Sequence, residues 1–219
     1  MADTMNFVIP SDFLLSAFAT LFVTIDPIGL APIFVALTAG MSLAQRREVA
    51  FRATIIALGV LLLSAFGGKP LLDALGITVP AFRIAGGLLL FIIAVEMIFE
   101  RRTERKQNTA ETAITRDHIE NLAAFPLAVP LMAGPGAITA VILLHGQASG
   151  DINKLGVLVG CITGIVLLCL VMFLLAARIG KWLGITGRVI ITRLLGVILA
   201  ALAVQFVADG TFGLLAAQA

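Results

Sequence analysis

Six apolar stretches, each close to the length of a bilayer crossing, limit what this chain can fold into more than any other feature. They fall at roughly 11–38, 49–67, 79–99, 124–146, 155–177 and 189–209. A helix needs about 20 apolar residues to cross the hydrocarbon core. In lipid the backbone must satisfy its own polar groups, which leaves helices and closed barrels. No segment alternates over the length a barrel strand requires. The chain therefore reads as an all-α, polytopic membrane protein with six transmembrane helices. Its composition agrees, with 60% hydrophobic and 13% charged residues among 219, where a soluble domain carries about 25% charged residues. A pI near 8.8 is then no sign of a nucleic-acid partner, and the lipid bilayer is the expected surrounding.

Basic residues sort to one side of these spans. Arg46, Arg47, Arg52, Arg101, Arg102, Arg105, Lys106, Arg116, Arg178, Lys181, Arg188 and Arg193 fall on one side, and Lys69, Arg83 and Lys154 on the other. By the positive-inside tendency, both termini are expected outside, with a turn at Arg188 in the cytoplasm. The N-terminal "MADTMNFVIPSD" has no Lys or Arg and so lacks the basic region of a cleavable signal. The segment "ERRTERKQNTAETAITRDHIEN" is mixed in sign and reads as a mobile cytoplasmic surface loop. It divides a single transmembrane domain, 1–219, into halves at about 11–99 and 124–210, with a linker at about 100–123. "PLLDALGI", too short to span, is expected at the interface.

The halves echo one another. Pro27 matches Pro135 (135 − 27 = 108), Arg83 matches Arg193 (193 − 83 = 110), and Glu96 matches Gln205 (205 − 96 = 109). Three spans per half is an odd number, so the second copy enters the membrane from the opposite face. Two inverted three-helix repeats, with helices 1 and 4 broken, are the arrangement of many secondary transporters.

The breaks carry the chemistry. "TIDPIGLAP" interrupts the first span at Asp26, Pro27, Ile28 and Gly29, and "AGPGA" interrupts the fourth at Gly134, Pro135, Gly136 and Ala137. Each proline lacks an N–H and clashes with the preceding turn, leaving orphan carbonyls on one half-helix and orphan amides on the next. Such groups persist in a membrane only where protein or a watery cavity covers them. Asp-Pro can cap its own half-helix. Gly134-Pro135 offers no capping side chain, which leaves the positive end of the second half-helix open to an anion. Across one cavity, Asp26 and the carbonyls of the first break would attract a cation. Acceptors facing donors suit a small zwitterion such as an amino acid. Asp26 reads equally as a helix cap and as a direct contact for substrate or ion. Its charge costs about 2.5–3.5 kcal/mol in a span, and its protonation would offer a route to proton coupling.

Other features read as structural. Gly156, Gly160 and Gly164 form a small-residue stripe for helix packing, with an oligomer contact as the second reading. Gly86, Gly87 and Gly196, in the repeat-related third and sixth spans, should similarly permit tight helix approach. Arg83, Arg193 and Glu96 are expected to snorkel, and Trp182 to anchor at the interface. His118 and His145 have no metal-ligand set around them, and Cys161 and Cys169 read as core hydrophobes.

The blocks "DPIG", "ITVPAFRIAGGLLLF", "FPLAVPLMAGPGAIT" and "ITRLLGVILAALAVQF", in this order on six spans, resemble the MarC family, or small neutral amino acid transporter family. The resemblance covers essentially the whole chain. It implies an inner-membrane protein of a prokaryote that carries glycine, alanine and similar small amino acids, bound at the broken first and fourth helices. The chain has Leu30 where many relatives carry Asn.

The expected function is alternating-access transport of small neutral amino acids of the glycine, alanine and serine class, with a proton or sodium ion as a coupling partner. An exporter or channel for another small solute is the alternative, and a non-transporting scaffold is another. No nucleophile with a partner base and no paired carboxylates occur within the spans, so neither an enzyme nor a cofactor is expected.

Overall fold

A computed structural model describes residues 10–102, 105–107, 122–148 and 150–217; the side chains of 177–186 and 188, Trp182 among them, lie outside the description, as does His118. The described backbone is helical and has no strand. The first span divides into α1 (Ser11–Ile25) and α2 (Pro27–Leu37) around Asp26. Next come α3 (Leu43–Ala74) and α4 (Val79–Ile98), then a wide coil α5 (Ala123–Met132), α6 (Pro135–Ala148) and α7 (Ile152–Ala216).

Local sequence explains the ends. Ser42 and Gln45 form a reciprocal cap at the start of α3, with Ser42 N donating to Gln45 Oε1 at 2.9 Å. Gly76, at φ +69°, ends the turn after α3. Thr78 accepts from Ala81 N at 3.3 Å and starts α4. "PLLDA" continues α3, which runs through Pro70 to Ala74. α7 is helical backbone throughout and holds two apolar stretches, Ile152–Ala176 and Val189–Ala216, each long enough for its own crossing, with Arg188 between them.

Among the described residues, five helical stretches are long and apolar enough to span a membrane, and the α5–α6 pair, bent by 56°, makes a sixth when counted as one broken span. The outer surface is apolar, as a lipid-facing surface must be: Leu63 is 75% exposed and Leu43 76%. Hydroxyls inside the spans bond back to their own helices, as Thr54 Oγ1 does to the Ala50 carbonyl at 2.7 Å. The first span lies at the centre, with 72% of its most apolar window buried against 28% for Val189–Ala216.

Glycines set how closely α4 meets the end of α7. A methyl group at Gly87 would lie 2.8 Å from the Ala203 carbonyl oxygen, and one at Gly196 3.1 Å from that of Ala94. Residue numbers rise on one helix as they fall on the other, so the two run antiparallel. With the offset of 110 that relates Arg83 to Arg193, the Gly87–Ala203 pair maps onto Ile93 and Val197, one residue from the observed Ala94–Gly196 contact. The Gly156–Gly164 stripe behaves otherwise. Its glycines are exposed, and a methyl at Gly160 or Gly164 would meet nothing within 4 Å. The packing expected of it within the chain is absent there, because this face of α7 points away from the bundle.

Candidate functional site

Asp26 is the hinge of the first break. It sits at φ 61°, ψ 66°, a left-handed conformation that L residues avoid and that Asp tolerates through local hydrogen bonds. Its own amide bonds to the Phe22 carbonyl at 2.9 Å, which closes α1. Its Oδ1 accepts from Gly29 N at 2.9 Å, which caps α2. Gly29 is required here: a Cβ on it would fall 2.2 Å from Asp26 Oδ2.

The second carboxylate oxygen has a partner that the sequence did not announce. Lys106 Nζ donates to Asp26 Oδ2 at 3.2 Å, with both residues buried. Beside it, Arg102 covers the carbonyl end of α1. Its Nη1 donates to the Val23 carbonyl at 3.1 Å and meets Met97 Sδ at 2.9 Å, and its Nη2 donates to the Thr24 carbonyl. Cations at a helix C-terminus are favourable because they answer its orphan carbonyls and dipole. A cation at the first break was expected, and the chain supplies it from its own linker. This corrects the reading of a solvated surface loop for the linker's described start, where Arg102 and Lys106 are 5% and 8% exposed; 103, 104 and 108–121 lie outside the described residues. Arg105 stays at the rim and pairs with Glu96 at 2.8 Å. Glu96 and Arg193 thus have protein partners rather than snorkelling alone, since Arg193 meets Glu100 at 3.3 Å.

Burial pushes the Lys106 ammonium down to about 8, with Asp26 opposing that fall. Burial also lowers the Arg102 guanidinium, again against Asp26.

The second break has another origin. Phe125 and Val129, each before a proline, are extended at φ −133°, ψ 126° and φ −129°, ψ 123°, as the clash with the proline ring favours. The coil widens, and Ala133 N bonds five residues back to the Ala128 carbonyl at 2.8 Å. Gly134 lies against the Pro130 carbonyl oxygen, which a Cβ would approach to 2.5 Å. Pro135 then starts α6. Ile138 N reaches the Gly134 carbonyl at 3.0 Å, whereas the amides of Gly136 and Ala137 precede the first possible intrahelical acceptor.

Between the breaks lies a cavity of 310 Å³. Thr24 lines it from the first break, Gly134, Pro135, Gly136 and Ala137 from the second, and Arg102, Arg105 and Lys106 from the linker, with Ile93 of α4 at one wall. Asp26, Pro27, Ile28 and Gly29 are not among the lining residues; Lys106, which does line the cavity, pairs with Asp26 at 3.2 Å. Leu30 is fully buried in the core. Sequence reasoning missed Arg102 and Lys106. The one signal was their spacing, four apart on the first basic turns after span three, which a solvated loop would equally show. Among the described residues, no group of three His, Cys, Asp or Glu could hold a metal.

Comparison with known proteins gives a consistent result. The model of the MarC family integral membrane proteins matches residues 11–215. A UPF0056 membrane protein of Archaeoglobus fulgidus is 41% identical over 90% of this chain and 92% of its own length. The UPF0056 membrane protein YhcE of Escherichia coli is 36% identical over 90% and 91%, and one from Methanocaldococcus jannaschii 37% over 93% and 88%. No solved structure matches. With six apolar crossings and a family match that spans all of them, the chain belongs to the MarC family of integral membrane proteins.

Proposed function

We propose that this protein transports small neutral amino acids of the glycine, alanine and serine class by alternating access. The observation that carries this reading is the 310 Å³ cavity where the two helix breaks meet, lined by Thr24 from one and Gly134–Ala137 from the other. Its volume lies at the small end of ligand pockets, and interrupted helices are where transporters of this architecture hold solutes. The substrate carboxylate would meet the amides opening α6, and its ammonium would lie toward the first break. The near-symmetric contacts of α4 with Val189–Ala216 support an inverted repeat as the frame for the motion. The inner membrane of a prokaryote, with both termini outside and a proton or sodium ion as the coupling partner, belongs to the same proposal. Counterflow in proteoliposomes tests it: glycine or alanine loaded inside should accelerate entry of labelled alanine. Absence of exchange for every small amino acid, in vesicles holding folded protein, would defeat the reading.

A further inference from the structure

The wall of the cavity is rich in donors and poor in acceptors. Arg102 has five N–H donors, and three contacts account for its bonds, to Val23 O, Met97 Sδ and Thr24 O. Two donors are left. Lys106 spends one of three on Asp26, which leaves two more. The amides of Gly136 and Ala137 open α6 without an intrahelical acceptor. Among the described residues, no aspartate or glutamate lines the cavity.

Charge points the same way. Asp26 balances one of the two buried cations, and the partners of Arg102 are neutral oxygens and a sulfur. The buried set Asp26, Lys106 and Arg102 therefore carries a net +1. The helix ends do not cancel it, because the negative end of α1 is offset by the positive end of α2 and that of α5 by the positive end of α6. An unbalanced charge in the interior of a bundle is costly, and buried charges are normally paired. A zwitterion adds no net charge and leaves the imbalance in place. A monoanion removes it.

Resting on the reading of this cavity as the solute site, we infer that it recognises a small monocarboxylate: Arg102 and the Gly136 and Ala137 amides hold the carboxylate, and Lys106, standing on Asp26, takes the place of a substrate ammonium. An α-amino group is then optional, and the substrate class extends to short carboxylic acids. The carboxylate is planar with two acceptor oxygens, a shape that guanidinium and paired amides suit better than a single ammonium does.

Three probes that differ in one group test this: alanine with both charges, propionate with only the carboxylate, and alaninamide with only the ammonium. Each is used against labelled alanine and labelled propionate exchange in proteoliposomes, with thermal shifts of the purified full chain alongside. Propionate should compete at least as well as alanine, and alaninamide should not compete. Arg102→Gln should abolish competition by propionate and Arg102→Lys should restore part of it, provided both variants elute as folded protein. If either fails to fold, the three-probe comparison on the native chain decides alone. Alanine exchange that propionate leaves untouched, or that alaninamide inhibits, overturns the inference and leaves the amino-acid reading standing. Propionate exchange without alanine exchange supports the inference and defeats the amino-acid reading. Exchange or thermal shift with none of the three overturns both.

Discussion

The two helix breaks use the same residues, proline and glycine, to opposite ends. The first is closed on itself. Asp26 caps α2, Lys106 neutralises Asp26, and Arg102 covers the carbonyls of α1. The second is open: Gly134 and Pro135 bring no side chain to the amides of α6, and these residues form the cavity wall. A break in a membrane helix is therefore not a binding site by virtue of being broken. What counts is which orphan groups the rest of the chain has already satisfied.

Removing the anion from the closed break is the harshest way to break this contrast. Asp26→Ala strips the cap from α2 and leaves Lys106 buried with no counter-charge, so a loss of about 3–5 kcal/mol is expected. Thermal or denaturant unfolding in detergent would read it. The double variant Asp26→Asn with Lys106→Met should recover a large part, because both charges go together. If the double variant is no more stable than Asp26→Ala, the pair is not what holds the first break.

The open break should lose function before it loses stability. Gly136→Ala puts a methyl 2.4 Å from Ile93 Cδ1, the end of a flexible side chain. An overpacking cost of about 1–3 kcal/mol is expected, and Ile93→Val should relieve it. Solute exchange should fall further than this stability cost implies, since the methyl enters the cavity wall. An unfolding midpoint that drops while exchange per folded molecule stays constant would place the solute elsewhere.

The smallest effect should come from pH. The Lys106 ammonium is present below its value of about 8 and is lost as pH rises through it. Among the described residues, Asp26, Arg102, Arg105, Glu96 and Cys169 are the other ionisable groups near it. Propionate stays ionised throughout, so its binding should weaken several-fold between pH 7 and 9. Lys106→Gln should bind more weakly at pH 7 and show a flatter profile. A native profile as flat as that of Lys106→Gln would remove Lys106 from the site.

Much of this was legible in the residues. Long apolar stretches must be helices in lipid, so the spans found lie within a few residues of those read from sequence, apart from α3, which begins at Leu43 and ends at Ala74, and the last span, which runs on to Ala216. Asp-Pro and Gly-Pro at mid-span marked both breaks, because proline acts on the turn beside it and needs no distant partner. Gly87 and Gly196 signalled close helix approach, whereas Gly160 and Gly164 carried the same pattern with nothing against them. A small-residue stripe records that a helix can be approached, not that a neighbour is there. The linker was the largest misreading. Charge of mixed sign ordinarily means solvent, and nothing local distinguishes Arg102 and Lys106 from Arg101 or Arg105.

From its sequence alone, then, the chain determined its medium, its helices, the two breaks and its family, all set by composition or by neighbours along the backbone. Only the tertiary structure decided which break stays open. That depends on two cations reaching carbonyls and a carboxylate some 80 residues earlier in the chain, as Arg102 does to Val23 and Lys106 to Asp26. Burial and charge pairing at that separation are properties of packing, and they filled the cation site expected at the first break with the chain's own Arg102 and Lys106.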